Sequence, residues 1–190
     1  FQMDNRAKWT VHTKIEKYAT HEDFLNNKLE EVKNIEGNLL LDGGVTDLWN
    51  LVIGANNEGA GVEHYDETHS FIGVGDSTTV ADKAQTGLEA VTNFWYKPMD
   101  ATYPIVTDNK VTFKSTFTGT GSGSNAEAGF AWEEWSVARG DGTYDYATFV
   151  ADPGAWVTAS INKNLNRKVE SMGTKADQAT WVITVEISLT

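Results

Sequence analysis

Two imidazoles and two carboxylates meet within six residues at His64-Tyr65-Asp66-Glu67-Thr68-His69, with Asp76 close behind. Such donors suit a divalent transition metal. Their spacing does not, because residues five apart share no helical face, and the chain has no cysteine to complete a tetrahedral set. No metal site is expected, and His12 and His21 have no evident partner. Glu133-Glu134 raises a second chemistry, acid–base cleavage of a glycosidic bond. Neighbours on a strand point to opposite faces, so these two carboxylates cannot flank one bond. One is expected to face solvent or to answer a cation such as Arg167, and a second acid would have to come from Asp141 or Asp145. The run Gly119-Thr-Gly-Ser-Gly-Ser124 has the glycine content of a phosphate-cradling loop, but neither the Lys-Ser/Thr ending nor an acidic ribose partner. Flexibility explains it better. With no G-x-S-x-G, H-E-x-x-H or Cys–His pattern, no catalytic residue, cofactor or metal is assigned, and the chain reads as a non-enzyme.

The elements that would position these residues are strands. Trp181, Ile183, Val185, Ile187 and Leu189 alternate with Val182, Thr184, Glu186, Ser188 and Thr190, the pattern of a half-buried antiparallel strand that places the end of the chain in its own core. Trp9, Val11, Thr13 and Ile15 repeat it near the start, as do Val111, Phe113, Ser115 and Phe117. Shorter strands are expected at 71–75 and 165–170. Phe130 to Trp135 carries aromatics on both faces and reads as a central strand or one under a subunit contact. Asp42-Gly43-Gly44 signals a turn, after which Thr46 is expected to cap a helix through Ile53 with Leu48, Trp49, Leu51 and Val52 as its apolar side. One or two helical turns are expected over 85–92, with Leu88 and Val91 inward, and a turn at Gly173. Residues 18–36 read as an exposed excursion. Fold class follows: mainly β, an antiparallel β-sandwich or jelly roll with one or two short helices, in which 1–36 supplies an N-terminal strand plus the excursion within the same domain and 37–190 the sandwich core.

Bulk numbers narrow the function further. The 190 residues carry 15 basic and 27 acidic side chains, a net charge of −12, which argues against nucleic acid and anionic membranes as partners. No apolar run reaches the length of a membrane span and no leader-like pattern opens the chain, so it is expected to be soluble and unexported. It opens on Phe1 rather than Met, from which an upstream loss is expected. Seven tryptophans spread from position 9 to 181 suggest packing in the core or at a subunit interface rather than a local platform.

Three blocks carry a likeness: Gly37-Asn-Leu-Leu-Leu-Asp-Gly-Gly-Val-Thr-Asp-Leu-Trp49; Ile72-Gly-Val-Gly-Asp-Ser-Thr-Thr79 with Gln85-Thr-Gly-Leu88; and Phe130-Ala-Trp-Glu-Glu-Trp135 with Leu165-Asn-Arg-Lys-Val-Glu-Ser-Met-Gly-Thr-Lys175. Over about residues 37 to 190 the chain resembles virion structural proteins of tailed bacteriophages and, more loosely, the attachment domains of tail-collar fibres. The resemblance implies a location in the virion after synthesis in the host cytoplasm. It also implies major capsid or tail proteins of the same particle as partners, and a homo-oligomeric or lattice-bound state. A multi-copy capsid decoration or cement subunit is the first expectation; a tail, collar or baseplate component is the second. The excursion at 18–36 and the stretch 144–162 are longer than the family pattern and are candidates for particle-specific contacts. A carbohydrate-binding module is the reading from another class. Trp95, Tyr96, Trp132, Trp135 and Trp156 are the interface candidates, able to stack on sugar rings or pack on a neighbour.

Overall fold

The terminal alternation becomes β11 (Thr180–Leu189), whose Trp181, Ile183, Val185 and Ile187 are buried while Thr184, Glu186 and Ser188 are partly exposed. The computed structural model describes residues 8–53, 64–119, 127–140 and 161–189. Beside β11 lies β1 (Trp9–Tyr18), antiparallel from Trp9↔Leu189 to Tyr18↔Thr180, and on its other side β7 (Lys110–Phe117). Two strands close the edges, β2 (Glu31–Glu36) and β6 (Ile105–Thr107), giving the order β2-β1-β11-β7-β6. The second sheet runs β3 (Leu39–Leu40), β10 (Asn166–Thr174), β8 (Ala131–Gly140), β4 (Ser70–Gly75) and β5 (Phe94–Pro98), with β9 (Ile161–Asn164) pairing the far end of β8. The sheets pack face to face. Trp132 of β8 meets Phe117 of β7 and Trp181 of β11 edge-on, with ring centroids 4.8 and 4.9 Å apart. Among the described residues all the ladders are antiparallel and two helices occur, so the architecture is a β-sandwich, as the period-two pattern predicted.

Free sheet edges invite unwanted pairing, and here lysines tie one sheet's edge to the other. Lys33 of β2 donates to the Ser171 carbonyl of β10, and Lys168 of β10 donates to the Glu36 carbonyl of β2 at 2.9 Å. The excursion is therefore built into the sandwich. It comprises α1 (His21–Leu25), capped by Thr20 Oγ1 accepting from the Asp23 amide at 3.0 Å, and the edge strand β2, whose Ile35 reaches the core.

Three local expectations are corrected. α2 (Asp42–Ile53) begins four residues before Thr46, and Gly43-Gly44 lie in its first turn rather than in a loop. Thr46 lies inside the helix and donates back to the Asp42 carbonyl. Residues 85–92 form no helix; they belong to the β4–β5 connection, where Leu88 packs on the core but Val91 is exposed. Gly173 is no turn but a position inside β10, at φ 95° beside a register shift in the β8 ladder.

Glycine at 44 has a steric cause. A Cβ there would lie 2.3 Å from the Leu165 carbonyl oxygen, a backbone atom that cannot step aside. Gly44→Ala is accordingly expected to push α2 off the sandwich and to cost about 1–3 kcal/mol, measured by urea denaturation. Gly43→Ala one residue earlier meets nothing within 4 Å and serves as the control.

Candidate functional site

Glu133 and Glu134 were expected to point to opposite faces, and the strand separates them as alternation requires. Glu133 is partly exposed and accepts from Ser171 Oγ at 3.0 Å. Glu134 is fully buried and answers Arg167, whose Nε donates to Oε2 at 2.6 Å. The Glu89 and Ala90 amides also donate to this carboxylate, at 3.1 and 2.8 Å. A carboxylate closed off from solvent and holding these bonds is a fastener for the β4–β5 connection.

The same connection covers a second buried network. Asn164 Oδ1 accepts from Tyr96 Oη at 2.9 Å and from Ser136 Oγ at 2.8 Å, and Gly87 lies so close that a Cβ would come within 2.6 Å of Asn164 Nδ2. Burial pushes the Tyr96 phenol up to about 12, which keeps it a neutral donor. Nearer α2, Arg139 grips Asp47 through two bonds, Nε to Oδ2 at 2.8 Å and Nη2 to Oδ1 at 2.6 Å, both residues being buried. Sequence periodicity missed this pair because it assigned the inward side of α2 to apolar residues.

The histidine-rich loop folds on itself. Asp66 Oδ1 accepts from the Thr68 and His69 amides at 3.0 Å and lies 2.7 Å from His69 Nδ1, while His64 is exposed. Partial burial raises the Asp66 carboxyl, but the bonds from His69 and Thr68 outweigh it and hold the group below the ordinary aspartate range. Its contribution is thus present at neutral pH and lost only as acid passes below that range. Among the described residues no three His, Asp or Glu side chains gather as a metal site. At the start of the Gly-Ser run, the Gly119 amide donates to Glu127 at 2.6 Å, and its carbonyl accepts from the buried Lys175 at 3.2 Å. An amide already bonded to a carboxylate is not free to cradle phosphate. Positions 120–126, with Asp141, Asp145 and the stretch 144–160, lie outside the described residues.

Four of the five interface candidates are corrected by the packing. Trp95, Tyr96, Trp132 and Trp135 are all buried, so their rings are used within the fold and offer no face to a sugar or a neighbour. The cause is that β8 and β5 are covered on both sides, by the first sheet and by the β4–β5 connection. Trp156 lies outside the described residues.

The apolar surface lies elsewhere, at residues that pattern reading placed inward or left unassigned. Leu25, 68% exposed, Leu29 and Val32 line the excursion, and Trp49, 63% exposed, and Val52 share one side of α2. An apolar cavity of about 410 Å³ opens at one end of the sandwich, walled by Trp9, Leu48, Tyr65, Phe113 and Ile187 with Val106 at its rim. No helix among the described residues is long and apolar enough to cross a membrane. Comparison with protein-family models, with curated proteins and with solved structures finds no match.

Proposed function

We propose that this chain is a non-enzymatic structural protein of a tailed-bacteriophage particle, a multi-copy decoration subunit bound to the outside of the capsid. The three resemblance blocks supply the family, and one observation carries the attachment role. The excursion that lengthens the family pattern presents Leu25, Leu29 and Val32 to solvent, on a hairpin edge tied into the sandwich by lysine-to-carbonyl bonds. Large apolar side chains left exposed along one ordered segment suit an interaction surface, and repetition on a lattice multiplies a weak contact. A net charge of −12 keeps such a subunit soluble and away from packaged DNA.

Copy counting in purified particles tests the placement. Many copies per particle are expected; a handful would remove the capsid reading, and a number matching three-, six- or twelvefold tail symmetry would move the subunit to the tail or collar. The contact itself is tested by Leu25→Ser combined with Val32→Ser. Both positions are exposed, so stability should change by no more than about 0.5 kcal/mol each. Occupancy on particles should fall about tenfold, read by mass spectrometry of particles reconstituted with the variant. Unchanged occupancy would exclude the excursion as the attachment surface.

A further inference from the structure

The core is unfinished at one pole of the sandwich, where β1 begins and β11 ends. Of the eight partly buried apolar side chains packed against the core among the described residues, four line the cavity of about 410 Å³: Trp9, Leu48, Tyr65 and Val111. Phe113 and Ile187, both buried, complete the wall. Its polar groups are already bonded. Trp9 Nε1 donates to Asn38 Oδ1 at 3.0 Å, and at the mouth Asn109 Nδ2 donates to the Leu189 carbonyl at 3.1 Å and Lys110 Nζ to Glu186 at 2.8 Å. The Tyr65 hydroxyl is closed off from solvent, so it does not open into a cavity that solvent can enter. Holding a water firmly takes about two to four polar partners, and a wall of rings and methyl groups does not supply them. Water there is easily displaced, and an apolar occupant gains by displacing it.

We infer that this cavity is a binding site for a small uncharged hydrophobe, a free molecule with a hydrocarbon body and no ionised group. Three features select the class. The wall asks for hydrocarbon, because its own polar atoms are bonded elsewhere or closed off. Size sets the scale: a dry apolar cavity of about 150 Å³ takes benzene, so one of about 410 Å³ has room for two fused rings with a substituent or a chain of roughly ten carbons. Charge excludes the anionic amphiphiles. Lys110 at the mouth is neutralised by Glu186, Asp108 beside it is exposed with no ion pair among the described residues, and the chain as a whole carries −12, so a fatty carboxylate would be repelled where its headgroup must sit. The walls are strand-borne: Trp9 on β1, Ile187 on β11 and Val111 with Phe113 on β7 come from three neighbouring strands of one sheet, so the site is largely preformed. It does not depend on where the chain resides in a particle.

N-phenyl-1-naphthylamine titrated into the full chain tests the inference, read by its fluorescence and by NMR on the Leu48 and Ile187 methyl groups. Saturable binding of one probe per chain is expected, with both methyl groups shifted and 1-decanol competing. Its sulfonated analogue, 8-anilinonaphthalene-1-sulfonate, and decanoate should bind at least tenfold more weakly. Val111→Phe adds bulk at a partly exposed wall position opposite Ile187 and should weaken the probe at least tenfold with the thermal midpoint kept or raised. Val106→Trp, at a rim position 73% exposed, repeats the test without touching the wall should the first variant fail to fold. Leu25→Ser lies past the far end of β1, at the opposite pole, and should leave binding unchanged, which separates this site from the exposed apolar excursion. No saturable binding, methyl groups that do not shift, full affinity in both filled variants, an anionic probe binding more tightly than its neutral counterpart, or loss of binding in Leu25→Ser would each overturn the inference. So would binding that appears only on dilution from an oligomer, since a second copy would then be the occupant.

Discussion

Val185→Asp should yield a chain with no cooperative unfolding transition. Val185 is 0% exposed and stands at the middle of the five-stranded sheet, opposite Thr13 on β1 and Phe113 on β7. An aspartate there would bring an ionised group into apolar surroundings with no cation to meet it, or else take up a proton and still bury an unsatisfied carboxyl. The expected loss exceeds about 4 kcal/mol, a large share of the roughly 5–15 kcal/mol by which domains are stable. Circular dichroism through a urea series reads the result directly. Ser188→Asp is the register control. It lies three residues on, is partly exposed and pairs with Lys110, so its cost should stay within about 0.5 kcal/mol. A soluble, cooperatively folding Val185→Asp protein would mean that β11 presents its other set of side chains to the core.

That register was legible because a strand with one buried face writes its geometry into every second residue. The same held for β1 and β7, and for the expectation that Glu133 and Glu134 diverge, one of them to face solvent or to answer a cation such as Arg167; the structure gives that cation to Glu134. Helix α2 was less legible. Its sequence offers Leu48, Trp49, Leu51 and Val52, yet the side against the sandwich is set by Gly44, which alone permits close approach to Leu165, and by Asp47, which is paired with Arg139. A steric requirement and a buried ion pair leave no hydrophobic period, so Trp49 was assigned inward and turned out exposed. The aromatic candidates failed for a related reason. Whether such aromatics pack inside or against a neighbour depends on what covers the second sheet: Trp132 is buried by Phe117 and Trp181 of the first sheet, and further cover comes from the irregular 76–93 connection, a segment held by side-chain-to-backbone bonds that periodicity cannot register.

The strongest of those irregular bonds can be removed singly, and Glu134→Ala is expected to cost about 3–5 kcal/mol. The substitution strips the carboxylate from the Glu89 and Ala90 amides and leaves the Arg167 guanidinium buried beside a void. Glu134→Gln keeps the shape and one acceptor oxygen but not the charge, so about 1–3 kcal/mol should be lost and part of the loop contact retained. A double-mutant cycle with Arg167→Met separates the pair from its surroundings: if the ion pair is the fastener, the doubly substituted chain loses less than the sum of the two single losses. Hydrogen exchange supplies a local readout, because the Glu89 and Ala90 amides should lose protection in Glu134→Ala while amides of β1 and β11 keep an order of protection set by global unfolding. The opposite outcome, full stability with intact loop protection, would mean that the β4–β5 connection is held by its apolar contacts through Leu88 and that the buried carboxylate is kept for chemistry instead.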